Sequence, residues 1–142
     1  MEKGINQFIL DSFNIEEVDI KTYSPLTLAY IGDGVFDLVI RSLVVGKGNT
    51  RANELHKRTS SIVKAASQSA MAERIKPYLT EEEEGVYRRG RNAKSTTMAK
   101  NATMSDYRRA TGLEALMGYL YLKNDFSRLI ELVKIGLEEE VI

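Results

Sequence analysis

The 142-residue chain contains no cysteine, only two prolines and a single histidine. The lack of cysteine excludes a disulfide framework, a zinc–thiolate site and a thiol nucleophile. A single histidine cannot build a metal centre that needs several histidine ligands. Few prolines and no repeated or low-complexity segment predict one domain, residues 1–142, and 43% hydrophobic residues are enough to fill its core.

The chain also lacks a long uncharged hydrophobic run. Its most apolar window, residues 26–45, contains Asp33, Asp37 and Arg41, and these three charges argue against a membrane span. The segment after Met1 carries acids instead of a basic stretch followed by an apolar one, so it does not resemble a secretion signal. We therefore expect a soluble, cytoplasmic protein with no membrane partner.

The formal net charge is zero, which by itself gives no reason to expect a polyanionic partner. The charges are unevenly distributed, however: residues 85–109 contain seven basic residues and one acid, so the rest of the chain has an excess of six acids. This asymmetry is typical of a local surface for nucleic acid on an otherwise acidic body. Solvated helical charges would give the same pattern.

Hydrophobic periodicity predicts an all-α fold, because no segment alternates at period two for the length of a strand. Caps, prolines and glycines mark where the helices start and stop. The predicted helices are 25–45, capped by Ser24 and stopped by 46–49; a helix capped by Thr50 that is bent or divided before Pro77; 81–89, with a capping box of Thr80 and Glu83; 106–122, capped by Ser105 after a polar loop at 90–103; and a last helix opened by Asp125 or Ser127.

Two of these helices combine an apolar sequence with one acid each. The helix from Leu26 is apolar nearly all round, which predicts a position in the core, yet it carries Asp33 between Gly32 and Gly34. A glycine inside a helix costs about 1 kcal/mol relative to alanine, so we expect another element to approach this backbone closely. Glu114 is the lone acid of a similar apolar run in the 106–122 helix.

A carboxylate in an apolar interior costs several kcal/mol unless it is neutralised, paired or bound to a metal. If the two helices face each other, Asp33 and Glu114 form an all-oxygen site of the kind that Mg²⁺ or Mn²⁺ prefers. Structural ion pairs, such as Asp33 with Arg41 or Lys64, are an alternative explanation of the same acids.

Around these two acids the sequence resembles the ribonuclease III family. Residues 28–36 (Leu-Ala-Tyr-Ile-Gly-Asp-Gly-Val-Phe) resemble the family signature, and residues 111–118 (Thr-Gly-Leu-Glu-Ala-Leu-Met-Gly) resemble its second acidic motif. Residues 56–63 lie where the family has a basic helix, and order and spacing match over about residues 24–123. A lone catalytic domain with the stretch 89–95 (Arg-Gly-Arg-Asn-Ala-Lys-Ser) is similar to the Mini-ribonuclease III branch.

The resemblance implies a ribonuclease III-like helical fold and a magnesium-dependent endoribonuclease that cleaves double-stranded RNA. The expected products carry 5′-phosphate and 3′-hydroxyl ends, and the branch acts as a homodimer on the precursor of 23S ribosomal RNA. Asp33 and Glu114 are the implied metal ligands and catalytic residues, with Mn²⁺ as a possible substitute for Mg²⁺. Two further acids of the family fall on Ala29 and Thr111 here. Thr111 is kept as a secondary candidate, because its hydroxyl could hold a metal-bound water.

Duplex RNA is recognised mainly through shape, phosphates and 2′-hydroxyls, so basic and polar residues near the charged segment are the candidate contacts. They are Arg58, Arg89, Arg91, Asn92, Lys94 and Lys100. A two-fold dimer is expected to bury the apolar signature helix around Tyr30 and Phe36.

Two other functions stay open at this point. One is a non-catalytic RNA-binding or ribosome-associated module that retains the fold. The other is an all-α nucleotide pyrophosphohydrolase, for which residues 81–84 could supply only one of the paired acidic motifs that it needs.

Overall fold

The computed structural model describes residues 4–94 and 103–137, which form seven α-helices and two short 3-10 turns, Ile20–Thr22 and Lys76–Tyr78. These residues contain no β-strand, so the all-α prediction is confirmed. None of these helices combines the length and the hydrophobicity needed to cross a membrane. The helices are α1 (Ile5–Ser12), α2 (Pro25–Gly46), α3 (Ala52–Val63), α4 (Ala65–Ile75), α5 (Glu81–Asn92), α6 (Met104–Leu122) and α7 (Phe126–Leu137).

Two predicted helix starts are confirmed by their capping hydrogen bonds. The Ser24 hydroxyl accepts the backbone N–H of Thr27 at 3.2 Å, and Pro25 occupies the first turn of α2. At α5 the bonds are reciprocal: Thr80 Oγ1 accepts the N–H of Glu83 at 3.1 Å, and Glu83 Oε1 accepts the N–H of Thr80 at 2.9 Å. These bonds satisfy N–H groups that the first turn of a helix leaves without partners.

Other helix ends differ from the prediction. α6 begins two residues earlier than expected, because Thr103 rather than Ser105 is its cap and accepts the N–H of Asp106 at 3.0 Å. α5 continues to Asn92, past the expected end near residue 89. Its extra turn is supported from outside, since Gly90 packs directly against α6.

Of the two residues predicted to start the last helix, Asp125 is the one that does so. Its side chain accepts the N–H of Arg128 at 3.3 Å, and Ser127 lies inside the helix. The segment predicted as one bent or divided helix forms two, α3 and α4, separated by Lys64 in an extended conformation (φ −65°, ψ 155°). The predicted cap Thr50 lies outside α3, which starts after Arg51 without a side-chain cap. α1 was not predicted; it has eight residues and buries none of them.

The core is built around α6, against which α2, α4 and α5 pack. Glycines bring α2 and α6 unusually close. A Cβ atom at Gly32 would lie 1.7 Å from the carbonyl oxygen of Glu114, and one at Gly118 would lie 2.0 Å from the carbonyl oxygen of Leu28. The expected close approach to the α2 backbone is therefore confirmed at Gly32, whereas a Cβ atom at Gly34 would meet nothing within 4 Å.

The prediction that α2 is buried on every side is wrong. Tyr30 and Leu38 are 82% and 58% exposed, whereas Phe36, on the side that packs inward, is 1% exposed. Only one side of α2 finds partners within its own chain, so the outer apolar residues face outward. We call these outer residues the α2 stripe: Leu26, Tyr30, Gly34, Leu38 and Val45.

α7 is fixed to the start of α5 by Arg128. Its guanidinium donates to both carboxylate oxygens of buried Glu83 at 2.8 Å and to the Tyr78 carbonyl at 2.8 Å. This bidentate pairing holds the pKa of Glu83 below its ordinary value. The acidic first turn of α5 is thus used for capping and for packing the last helix.

Candidate active site

Asp33 and Glu114 meet where α2 crosses α6. Gly32 allows the α2 backbone to approach the Glu114 carbonyl, and this contact brings the neighbouring residue, Asp33, beside the Glu114 side chain. The two carboxyl groups are within hydrogen-bonding reach of each other when one of them is protonated. The fold therefore brings together the two acids that the sequence places 81 positions apart.

The two acids differ in exposure, although both were expected in an apolar interior. Asp33 is exposed, because it lies on the uncovered side of α2, and Glu114 is half-buried between α2 and α4. The expectation that both acids are buried is therefore wrong for Asp33, because one side of α2 is uncovered in this chain. The desolvation cost of the pair falls mainly on Glu114.

Burial, and then the neighbouring Asp33 carboxyl, raise the pKa of Glu114 from 4.5 to about 8. Gln68 opposes this rise, because its Nε2 lies 3.4 Å from Glu114 Oε2 and donates to the charged form. In the metal-free protein Glu114 therefore holds a proton at neutral pH. A dication between the two acids would favour loss of that proton.

Structural ion pairs between described residues do not involve this site. Arg41, one of the two partners considered for Asp33, pairs instead with Asp37 at 2.6 Å. In residues 4–94 and 103–137, no ion pair includes Asp33, Glu114 or Lys64. The two carboxyl groups thus face each other without a described basic side chain between them.

The donor set fits a hard divalent cation that keeps most of its water. Mg²⁺ is usually held by one or two carboxylates together with waters and substrate phosphates, and Asp33 and Glu114 supply two carboxylates. Among the described residues, no group of three or more His, Cys, Asp or Glu side chains is placed to hold a metal ion. Thr111 lies one turn before Glu114 on α6, is buried, and donates its hydroxyl hydrogen to the Tyr107 carbonyl at 3.0 Å. Only its oxygen lone pairs remain for a metal-bound water.

A groove near the start of α6 collects basic side chains from α5, α6 and the 3-10 turn Lys76–Tyr78. We call it the basic groove; its volume is about 420 Å³, and it is lined by Glu73, Lys76, Arg91, Asn92, Met104, Ser105, Arg108 and Arg109. Its one lining acid, Glu73, pairs with Arg109 at 3.0 Å. The Arg91 guanidinium lies 5.8 Å from the centre of the Tyr87 ring, and its Nε donates to Asn92 Oδ1 at 3.3 Å. Arg91 and Asn92, both candidates from the sequence, therefore share one surface.

The other candidate RNA contacts that the structure describes, Arg58, Arg89 and Lys94, do not line this groove. Arg89 is two residues from Arg91, which is about 200° around an α-helix, and it lines a different groove. Arg58 is half-buried on α3 and forms an ion pair at 3.5 Å within its own helix. Lys94 is exposed just after α5, and Lys100 lies outside the described residues. Residues close in sequence thus point to different surfaces, because α5 extends further than expected.

Sequence reasoning missed Gln68, Arg108 and Arg109 as site residues. Gln68 belongs to a buried stripe of α4 that also contains Met71 and Ile75. A large amide on an apolar stripe is the signal that could have identified it, because buried polar groups need partners. Arg108 and Arg109 were included only as part of the basic charge of residues 85–109. The sequence did not place them in the basic groove, because α6 begins earlier than expected.

This fold is that of the ribonuclease III family. The model of the Ribonuclease III domain matches residues 26–125, close to the range over which the resemblance was recognised. The chain therefore belongs to this family, and its class is endoribonuclease, as predicted.

Within the family the chain groups with the Mini-ribonucleases 3. It is 51% identical over 125 residues to Mini-ribonuclease 3 of Clostridium tetani, covering 86% of this chain and 83% of that protein. It is 42% identical over 138 residues to Mini-ribonuclease 3 of a Thermoanaerobacter species, covering 97% of each. A crystal structure of a Fusobacterium nucleatum protein superposes with a TM-score of 0.78 at 30% identity, covering 86% of this chain and 94% of that one. The predicted ribonuclease III-like fold is confirmed, and the pyrophosphohydrolase alternative loses its support.

Proposed function

We propose that this endoribonuclease cleaves double-stranded RNA with Mg²⁺ held by Asp33 and Glu114, and that Mn²⁺ can substitute. It acts as a cytoplasmic homodimer in the maturation of the 23S ribosomal RNA precursor. The observation that carries the proposal is the meeting of the two carboxyl groups at the α2–α6 crossing, in a chain of the ribonuclease III family.

The two acids have complementary roles in phosphodiester hydrolysis. When bound, Mg²⁺ supplies an activated water and stabilises charge on the phosphate. Asp33 offers its carboxylate at the surface, where a duplex can reach it, and Glu114 offers a second carboxylate from a fixed position on α6. Ala29 and Thr111 add no carboxylate, so the ion would be held by Asp33 and Glu114 and would keep water and phosphate oxygens as its other ligands.

The basic groove is the surface that we assign to the RNA backbone. Arg91 and Arg108 form no ion pair with a described residue, so their charges are available to phosphates. Arg108 and Arg109 precede Glu114 by five or six residues, which is about 8–9 Å along the axis of α6. Arg91, Asn92 and Arg108, which line the basic groove, are therefore the leading contacts. Arg58, Arg89, Lys94 and Lys100 are candidates for further ones.

The α2 stripe is the surface that we assign to the dimer. An exposed apolar face along a single helix is typical of a protein–protein interface, and a two-fold axis would pair the stripe with its own copy. Tyr30 and Leu38 are available to it. Phe36 is not, because it already lies in the core of its own chain, and that part of the expectation is corrected. Each subunit carries one acid pair, so a dimer has one for each RNA strand.

Incubation of the purified protein with long double-stranded RNA, in Mg²⁺ or in EDTA, tests this function. Fragments with 5′-phosphate ends are expected only with Mg²⁺, and Asp33→Asn or Glu114→Gln should slow cleavage by about 100-fold or more while RNA binding persists. Glu84→Gln, which removes a surface acid of α5, is the matched control and should cleave at the wild-type rate. A transcript of the 23S precursor, cut at one position where an arbitrary duplex is cut at many, would support the proposed substrate.

Two outcomes would count against the proposal. Binding without cleavage by the wild-type protein would favour the non-catalytic module that retains the fold. Equal cleavage in EDTA would remove the metal ion from the mechanism and leave Asp33 and Glu114 in other roles.

A further inference from the structure

The break between α3 and α4 leaves backbone groups that side chains must satisfy. Lys64 is the only residue between the two helices, and its extended backbone stops the regular hydrogen-bond pattern. Two side chains of α4 bond back to α3: Ser67 Oγ donates to the Ser61 carbonyl at 2.6 Å, and Gln68 Nε2 donates to the Val63 carbonyl at 2.8 Å. The break is therefore closed by side chains of the helix that follows it.

The bond to Val63 fixes which way the Gln68 amide is turned. A backbone carbonyl can only accept a hydrogen bond, so the amide nitrogen must face Val63. The same nitrogen lies 3.4 Å from Glu114 Oε2 and has a second hydrogen to offer. Gln68 is 3% exposed, so its amide has little access to solvent.

The second contact of Nε2 points to a role beyond closing the break. Closing the break uses only the bond to the Val63 carbonyl, whereas the contact with Glu114 Oε2 joins α4 to α6 across 46 positions. An amide that is anchored by a backbone carbonyl and donates to a metal ligand is typical of an outer partner, which fixes the orientation of that ligand.

We propose that Gln68 is a positioning residue: it holds Oε2 of Glu114 through Nε2 and thereby keeps the carboxylate oriented towards Asp33 and the metal ion. This role rests on the proposed metal ligation by Asp33 and Glu114. A neutral donor suits it, because a lysine or arginine would neutralise Glu114 and compete with the cation, and an acid would repel Glu114. Gln68 is anchored by the backbone of Val63, so the orientation of Glu114 is coupled to the α3–α4 break.

The test measures metal binding apart from turnover. Mn²⁺ affinity is measured for the full chain without RNA, from the EPR signal of free Mn²⁺, and kcat and KM are measured on long double-stranded RNA at saturating Mg²⁺. Gln68→Met, which keeps the length but removes the donor, should weaken Mn²⁺ binding and lower kcat by about tenfold each, the usual loss for an outer partner of a metal ligand, with KM nearly unchanged. Melting temperatures in EDTA report the effect on the fold.

Ser67→Ala is the matched control, because it removes the other side-chain bond across the same break without contacting Glu114. It should lower the melting temperature while Mn²⁺ affinity and kcat stay at wild-type values. Gln68→Asn keeps an amide but retracts it by one methylene; it should fold even if Gln68→Met does not, and still bind Mn²⁺ more weakly.

If the Gln68 variants keep wild-type Mn²⁺ affinity and kcat and lose only melting temperature, as Ser67→Ala does, the amide merely closes the break and the proposal is overturned. Failure of the wild-type protein to bind Mn²⁺ is a different result. It would overturn the metal site itself, and the role of Gln68 with it.

Discussion

At the scale of single residues, Glu114 makes the stability of the metal-free fold depend on pH. Its pKa is about 8 in the folded protein, because of burial and the adjacent Asp33, against an ordinary value of 4.5. Because the folded pKa is the higher one, the contribution of Glu114 to stability is complete below about pH 4.5 and is lost as the pH rises towards 8. Above about pH 8, the folded protein must keep the charged Glu114 carboxylate partly buried and next to the Asp33 side chain.

Glu114→Gln should therefore stabilise the metal-free protein at high pH, although it strongly slows cleavage. In EDTA at pH 9 we expect the free energy of unfolding to increase by about 1–3 kcal/mol, and at pH 4.5 to change little, because glutamine resembles the protonated acid. Urea unfolding at the two pH values measures the difference. Added Mg²⁺ should stabilise the wild type and not the variant, and an equal effect at both pH values would contradict the assigned titration.

The residues of the site were predictable to different degrees. Asp33 and Glu114 could be identified because each interrupts an apolar helix and stands within a motif. Their unequal burial could not, because it depends on which side of α2 is covered. Gln68 contacts Glu114 across 46 positions, so no local pattern joins the two residues.

At the scale of helices, the site depends on how closely α2 can approach α6. Gly118 faces the Leu28 carbonyl so closely that a Cβ atom would lie 2.0 Å from the oxygen. The contact is between two backbones, so no side-chain rotation can relieve it, and the helices would have to separate. That separation would also move Asp33 away from Glu114.

Gly118→Ala should lower the free energy of unfolding by about 2–3 kcal/mol or more, despite the better helix propensity of alanine, and should reduce Mg²⁺-dependent cleavage. Gly46→Ala is the control on α2, because a Cβ atom there meets nothing within 4 Å. It should be neutral or stabilising by about 0.5 kcal/mol. Chemical denaturation and a cleavage assay on both variants check this, and near-wild-type stability of Gly118→Ala would show that the crossing can open without cost.

Helix patterns explain which elements could be predicted. α2, α5 and α6 have caps and apolar residues at helical spacing, so their existence followed from the sequence. The separation of α3 from α4 at Lys64 did not, because it is stabilised by the side chains of Ser67 and Gln68 reaching back across the break. α1 was not predicted, although Ile5, Phe8 and Ile9 stand at helical spacing, because it is only eight residues long and buries none of them in this chain.

At the scale of the whole molecule, α5 separates two surfaces that are adjacent in sequence. Arg91 lines the basic groove, and Arg89 lines a groove on another side of the helix.

Arg91→Ala should weaken the binding of duplex RNA. The slope of log K against the logarithm of the salt concentration should become shallower by about 0.7–0.9, which corresponds to the loss of one phosphate contact. Arg89→Ala is the matched variant, and we expect a smaller change. Binding titrations at several salt concentrations measure the change in affinity for each variant. A larger loss in Arg89→Ala than in Arg91→Ala would place the RNA on the Arg89 side of α5.

The sequence could not show which side of α2 faces a partner. A core and a dimer interface both select apolar residues, so a helix that serves both is apolar all round and has no directional pattern. The fold separates the two sides: Phe36 packs inward, and the α2 stripe faces outward. A dimer interface that includes Tyr30 therefore stays a prediction. Phe36 cannot be part of that interface, because it is buried in its own chain.

Tyr30→Arg should convert the dimer to a monomer without unfolding it. Tyr30 is 82% exposed in the single chain, so the change costs the fold little, but a two-fold interface would place two new positive charges near each other without partners. We expect the dissociation constant to rise by about 100-fold or more, since like charges across an interface cost several kcal/mol. Tyr78→Arg is the matched control, because Tyr78 is another exposed tyrosine, at 58%, and lies off α2. Sedimentation velocity distinguishes the variants, and a monomeric Tyr30→Arg should nick single strands more often than it cuts both. A variant that remains dimeric would place the interface on another surface.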